Sequence, residues 1–220
     1  MSIIAQNVNK IIEETKTPIL QDINLEIKTG EFVSLVGRSG SGKSSLLYLL
    51  SSLDKASSGT IHIDSHNLSK ISDNELHIMR NLDIGFVFQF HYLLQELTVL
   101  ENILLPATRF NMEKELEPYA YALLEKFNLI EKGDRFPRQL SGGEQQRIAI
   151  ARALLMKPKY IFADEPTGSL DSVNGELVIN ILKETNKNQG TTIILVTHDI
   201  DFANAAQRKI QLADGRIKEN

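Results

Sequence analysis

Eight residues, Gly37 to Ser44 (Gly-Arg-Ser-Gly-Ser-Gly-Lys-Ser), constrain the fold more than any other stretch of the 220-residue chain. An apolar run, Phe32 to Val36, leads into them, and Ser44 to Leu53, apolar on nearly every side, leads out. The first reads as a short buried strand, the second as a helix buried within the domain. Strand, glycine loop and helix in that order turn the pattern G-x4-G-K-[ST] into a physical statement. Glycines let the backbone curl until successive N–H groups point at one spot, and the helix N-terminus adds partial positive charge there. The stretch therefore predicts a cradle for a nucleotide's phosphates, formed by Gly37, Arg38, Ser39, Gly40, Ser41, Gly42, Lys43, Ser44 and Ser45. Lys43 would reach the β and γ phosphates, and the Ser44 hydroxyl would sit on Mg2+. A plain glycine-rich turn is the alternative, and its four specified positions recur by accident in roughly 1% of chains of this size before the context is counted.

Around this centre, strands and helices alternate. Ile23, Leu25 and Ile27 alternate with Asn24, Glu26 and Lys28, the period of a strand with one buried face. Thr60 to Asp64 and Ile84 to Gln89 read as short strands, and Ser72 with Glu75, like Thr98 with Glu101, has capping-box spacing. From Leu116, apolar residues recur at Tyr119, Ala120, Leu123, Leu124 and Phe127, one face of an amphipathic helix. Residues 90–155 read as mainly helical. Strand character returns at Tyr160 to Ala163, a helix is expected around Gly175 to Asn188, and a β-branched strand runs from Thr191 to Thr197. Lys209 to Ala213 and Arg216 to Lys218 form a hairpin about Asp214-Gly215. Apolar strands alternating with helices predict an α/β fold, its mostly parallel sheet covered on both faces, with a helical insertion.

Composition narrows the function classes. Lys and Arg number 24 against 28 Asp and Glu, a formal net charge of -4, so no bulk attraction draws the chain to nucleic acid. The absence of cysteine removes thiol catalysis, thiolate metal sites and disulfides. No apolar run approaches the roughly 18 residues of a membrane span, and Met1 to Lys10 lacks the pattern of a secretory signal.

Leu140-Ser-Gly-Gly-Glu-Gln145 is a second motif. Ser141 is placed as an N-cap with Glu144 at capping-box spacing, and Gly142 and Gly143 leave the first-turn N–H groups unshielded, so this helix end can also receive an anion.

With these residues the chain resembles the ATP-binding subunit of an ABC transporter, over essentially its whole length and with six motifs in the family's order. The resemblance implies a P-loop NTPase (RecA-like) core, an antiparallel β subdomain and an inserted helical subdomain, in a single domain over 1–220, with 1–89 and 156–220 as nucleotide-binding core and about 90–155 as helical subdomain. It makes Leu140 to Gln145 the signature motif, which closes over ATP held by the other subunit, so that two chains complete two sites head to tail. Asp164 would hold Mg2+ at the end of its strand, and the following Glu165 would activate water. Gln89 would contact metal and water, Ser169-Leu-Asp171 would run along the dimer interface, and His198 would contact the γ phosphate. Glu165, His198 and Lys43 are thus the expected catalytic residues, and Ser44, Gln89 and Asp164 the expected metal contacts. His62, His66, His77 and His91 have no partner at ligand spacing and receive no role.

One departure stands out. The family stacks adenine on an aromatic about 25 residues before the phosphate loop, whereas here Ile11 and Ile12 stand there and no aromatic precedes Phe32. Ile12, or its neighbour Ile11, must cover the base with an aliphatic face, which predicts weaker base discrimination.

The stretch Phe88-Gln-Phe-His-Tyr-Leu-Leu94 with Thr98 to Pro106 resembles the ATPases of lipoprotein-releasing and macrolide-exporter systems, most closely the former, with the cell-division ATPase also near. That resemblance implies a homodimer of ATPase subunits bound to integral membrane permease subunits, peripheral on the cytoplasmic face of the bacterial inner membrane and attached only through the permease. The same stretch and the helix Leu116 to Phe127 would receive the permease, Leu93 among them, unless their apolar residues form the helical subdomain's own core. A soluble ABC ATPase acting on DNA or ribosomes would carry a long coiled-coil insertion or two cassettes, for which the chain has no room. A P-loop kinase would not need a second chain to finish its site. A non-catalytic, nucleotide-gated scaffold is the third rival.

Overall fold

The computed structural model describes residues 2–218; Met1, Glu219 and Asn220, the ends of the 1–220 span, lie outside the described residues. In chain order the first elements are β1 (Ser2–Ile12), β2 (Thr17–Lys28), β3 (Phe32–Val36), α1 (Lys43–Leu50), β4 (Ser58–Ile63), β5 (His66–Asn67), α2 (Asp73–Leu82) and β6 (Ile84–Val87). Three helices follow, α3 (Val99–Thr108), α4 (Glu113–Lys126) and α5 (Gly142–Leu154). The chain continues through β7 (Tyr160–Asp164), α6 (Ser172–Gln189), β8 (Thr192–Val196), α7 (Ile200–Ala203), β9 (Arg208–Ala213) and β10 (Arg216–Lys218).

Two sheets result. β2, β1, β4 and β5 form an antiparallel sheet, while the larger sheet has the order β10-β9-β3-β8-β7-β6, parallel throughout except for the terminal hairpin. Alternate residues of the central strands feed opposite faces, as the pleat requires. Phe32, Ile161, Ile193 and Leu195 pack against α3 to α6, and Val33, Phe162, Ile194 and Val196 pack against α1, α2 and the antiparallel sheet. Both faces are therefore covered, and the central strands are buried along almost their whole length.

Local chemistry explains the boundaries. The boxes of Ser72 with Glu75 and Thr98 with Glu101 both form and start α2 and α3. Asp214 and Gly215 take φ of 51° and 74°, the left-handed pair that a two-residue hairpin turn demands. β1 escaped the sequence pattern because it is bulged. Asn7 adopts φ 49°, the pairing register shifts between Ala5 and Val8, and the buried set Ile3, Ala5, Val8 loses its period of two. α1 stops at Leu50, short of the expected Leu53, which is exposed; Ser52 has turned to φ 64°. β6 likewise ends at Val87, leaving Phe88 and Gln89 in the following loop.

Candidate functional site

The parallel register brings four strand ends level. Leu35 on β3 and Asp164 on β7 both pair with Val196 on β8, and Val87 on β6 pairs with Ala163. The carboxyl ends of parallel strands are where open α/β sheets take ligands. At this edge lies a cleft of about 440 Å³ lined by Ser39, Gly40, Gly42, Lys43, Ser44, Ser45, Gln89, Asp164, Glu165 and His198, with Ile19 and Val196.

The loop is wound tightly around its lysine. Lys43 donates from Nζ to the carbonyls of Gly37 and Arg38, each at 3.0 Å, which places the ammonium inside the curl. Gly42, the N-cap of α1, sits at φ 97° and offers no side-chain cap, so the first-turn N–H groups face the cleft uncovered. A Cβ at Gly42 would also come within 2.8 Å of Leu20 Cδ2. Ser41 Oγ is buried and has no hydrogen-bond partner.

Across the cleft, Asp164 is buried at 5% exposure, and both carboxylate oxygens are engaged. Ser44 Oγ donates to Oδ1 at 3.0 Å and the Tyr48 hydroxyl donates to Oδ2 at 2.8 Å. Desolvation first, then the hydrogen bond to Asp164, push the Tyr48 hydroxyl up to about 12, so it stays a donor at neutral pH. A serine hydroxyl beside a single carboxylate is a hard-oxygen set that suits Mg2+ completed by phosphate oxygens and water. No cluster of three or more His, Asp or Glu able to cage a metal exists among the described residues.

Glu165 follows Asp164 at φ 48°, a left-handed conformation that is uncommon for a non-glycine residue. This turns its carboxylate toward the end of β8, where Oε2 lies 2.8 Å from His198 Nδ1. His198 itself is exposed.

The capping box at the start of α5 is built as its spacing predicts. Glu144 N–H donates to Ser141 Oγ at 3.3 Å, and Ser141 N–H donates to Glu144 Oε2 at 2.8 Å. The Ser141 backbone N–H is the main reason the Glu144 carboxyl sits below its usual range. Ser141 and Gly142 are exposed, and no residue of this end lines the cleft. Asp171 caps α6, accepting from the Asn174 backbone at 2.8 Å, and it too lies outside the cleft.

A profile of the family described as ABC transporter matches residues 20–168. The chain belongs to the ABC transporter family. As a cassette of that family it is similar to the protein named lipoprotein-releasing system ATP-binding protein LolD of Leptospira interrogans, 53% identical over 90% of this chain and 84% of that one. It is also similar to the protein of the same name from Aquifex aeolicus, 44% identical over 97% and 94% of the two chains. Among solved structures, a dimeric bacterial ABC transporter cassette superposes with a TM-score of 0.91 at 41% identity, covering 99% of this chain and 97% of that one. A dimeric post-hydrolysis state of an ATP-binding cassette, bound to ADP and Pi, superposes with a TM-score of 0.90 at 39% identity over 99% and 97%.

Within this ABC cassette, the residues expected from sequence therefore fall into two groups. Ser39, Gly40, Gly42 to Ser45, Gln89, Asp164, Glu165 and His198 meet at the cleft, whereas Ser141 to Glu144 and Asp171 face elsewhere. Gly37 and Arg38 contribute carbonyls behind the lysine. Ile12, at the exposed end of β1, is absent from the cleft lining, where Ile19 stands instead.

Several residues that no motif marks hold the site together. Gln146, fully buried on α5, donates from Nε2 to the carbonyls of Phe88 and Pro166 and pairs through Oε1 with His91 Nδ1 at 2.5 Å. His91, given no role from sequence, thus has a structural one. Asn102, also fully buried, clasps the loop by accepting from Leu94 N–H and donating to the carbonyls of Leu94, Leu97 and Thr98. Of the two readings open for Leu93, the subdomain core is the one observed: it is 8% exposed and packs in the helical core, while Phe90, Tyr92 and Leu94 around it face solvent. The apolar face of α4 is likewise spent on that core. A single polar tyrosine at the fourth position after Ser44 gave no signal in an otherwise leucine-rich helix.

Proposed function

We propose that this cassette is the ATP-binding and ATP-hydrolysing subunit of a lipoprotein-releasing transporter of the LolD type. The observation that carries the reading is the split between the two anion-binding ends. One lies in the cleft with Lys43, Asp164, Glu165 and His198, and the other, exposed Ser141 and Gly142 with half-buried Gly143, lies outside it. A site completed by the same surface of a second copy accounts for both, and the dimeric cassettes similar to this chain support it.

In that reading Gly37 to Ser45 wrap the phosphates, and the partner's signature end closes over the γ phosphate. Ser44 and Asp164, with Gln89 nearby, would hold Mg2+, which supplies charge neutralisation on the phosphate oxygens when bound. Glu165 takes a proton from water as its oxygen attacks the γ phosphorus in line. The O–P bond forms, the bond to the β-phosphate oxygen breaks, and ADP and phosphate leave. His198 orients Glu165 through their hydrogen bond, and Lys43 counters charge on the transferring group. Ile12 or Ile11 lies against the base.

Residues 2–89 with 156–218 act as the nucleotide-binding core, and about 90–155 act as the helical subdomain that carries the signature. The exposed Phe90, Tyr92 and Leu94, next to Gln89, offer the permease an apolar contact continuous with the cleft. No helix among the described residues is long and apolar enough to cross a membrane. In the proposed complex the subunit is held peripherally on the cytoplasmic face of the inner membrane through the permease. Glu165→Gln tests the chemistry: phosphate release should fall about a hundredfold to ten-thousandfold while ATP binding, followed by a fluorescent analogue, persists. Undiminished release would remove Glu165 from the reaction.

A further inference from the structure

The Tyr48 hydroxyl contact on Asp164 belongs to no motif, yet it occupies one of the two oxygens of the only carboxylate proposed for the metal. Ser44 and Tyr48 are four residues apart on α1 and so lie on the same face of the helix, one turn apart. Their hydroxyls take the two oxygens of Asp164 separately, Ser44 at Oδ1 and Tyr48 at Oδ2. A carboxylate held at one oxygen only can rotate about its terminal bond and present either oxygen, or neither, to an ion. Held at both, with Tyr48 on Oδ2, it keeps Oδ1 at the Ser44 hydroxyl.

The ring of Tyr48 is itself fixed. It packs as a partly buried member of the cluster formed by α1, α2 and the antiparallel sheet, so the hydroxyl is delivered from a rigid helix rather than a loop. Asp164 is the last residue of a fully buried strand, which leaves its side-chain torsion as the main freedom the site could lose.

We propose that Tyr48 is a positioning residue for the divalent ion: by pinning Asp164 Oδ2 it sets the affinity with which the nucleotide-loaded cleft takes the metal. The proposal rests on the reading of Ser44 and Asp164 as the metal's protein contacts. Tyr48 touches neither nucleotide nor ion and acts through Asp164 alone.

The test uses Mn2+ as a spectroscopic probe, its free concentration read by electron paramagnetic resonance in the presence of ATP and Glu165→Gln protein, so that turnover plays no part. Tyr48→Phe keeps the ring and removes one oxygen atom. It should raise the Mn2+ dissociation constant of the ternary complex by about tenfold, the lower end of what loss of an outer-shell partner costs. Binding of a fluorescent ATP analogue in chelator should stay unchanged. In an Asp164→Asn background, where Mn2+ binding is already weak, the same substitution should add nothing, because coupled residues are non-additive. Two failures are separable. If Asp164→Asn leaves Mn2+ affinity intact, the metal-site reading itself is wrong. If Asp164→Asn weakens it but Tyr48→Phe lowers only the melting temperature, Tyr48 is merely structural and the proposal falls.

Discussion

Glu165 and Ile12 mark the two ways in which single residues decide this cassette's behaviour. Glu165 holds a left-handed backbone at φ 48°, and that geometry aims its carboxylate at His198, just beyond the end of the neighbouring strand β8. Ile12 stands where an aromatic platform is expected. Losing such a platform forfeits about 0.5 to 1.5 kcal/mol, roughly a three- to tenfold change in affinity. Titrations of the wild-type protein with ATP and GTP should therefore give similar dissociation constants, and Ile12→Tyr should tighten ATP by roughly that factor. A strong preference for ATP in the wild type would contradict the aliphatic platform. At this scale the phosphate loop was legible from its own pattern between a strand and a helix, whereas Asp164, Glu165 and His198 stood out only through the family resemblance, and the structure places all of them at one cleft. Tyr48, Gln146 and Asn102 were not legible, because their partners lie 116, 58 and 8 residues away and only the fold brings them together.

Elements in the helical region combine a shared apolar core with caps and clasps at their ends. Asn102 satisfies the Leu94 N–H and three carbonyls from the interior of α3. Asn102→Leu would leave the Leu94 N–H and the Leu97 carbonyl without a partner, while the Leu94 and Thr98 carbonyls keep the backbone donors of Leu97 and Asn102; at about 1–3 kcal/mol per orphaned group partly relieved by water, urea denaturation should show a loss of about 2–4 kcal/mol. An unchanged midpoint would mean the loop from Gln89 to Thr98 does not depend on this clasp. The capping boxes carry a pH signature as well. Glu75, Glu101 and Glu144 all sit below their usual range because the N-cap residues Ser72, Thr98 and Ser141 donate to them. Their folded values lie below the unfolded ones, so the stabilisation is complete above the unfolded value and is lost as pH falls through the folded values, below about 4.3. Glu144→Gln keeps the box's geometry without its titration, and thermal melts between neutral and acid pH should show a shallower acid limb. An identical limb would assign the acid sensitivity to other carboxylates. The boxes were readable in the sequence because a cap is a four-residue pattern. β1 was not, because its bulge at Asn7 breaks the alternation that reveals a strand.

At the scale of the whole molecule, the proposed function assigns one chain two half-sites. Lys43, Asp164, Glu165 and His198 gather at one edge of its sheet, yet the exposed start of α5 lies outside that cleft, and exposed Val173 and Ile200 stand in the first turns of α6 and α7. The chain's overall organisation followed from its alternation of strands and helices, whereas the spatial separation of the two ends could be seen only once the strands were in register. The measurement that tests this most directly is the mass of Glu165→Gln protein by light scattering with and without saturating Mg-ATP. Composite sites require a monomer without nucleotide and a dimer with it, and the dimer should disappear when Ser141 is replaced by a bulky charged residue such as Arg. A protein that remains monomeric at saturating Mg-ATP, alone and with its permease, would contradict the shared-site account.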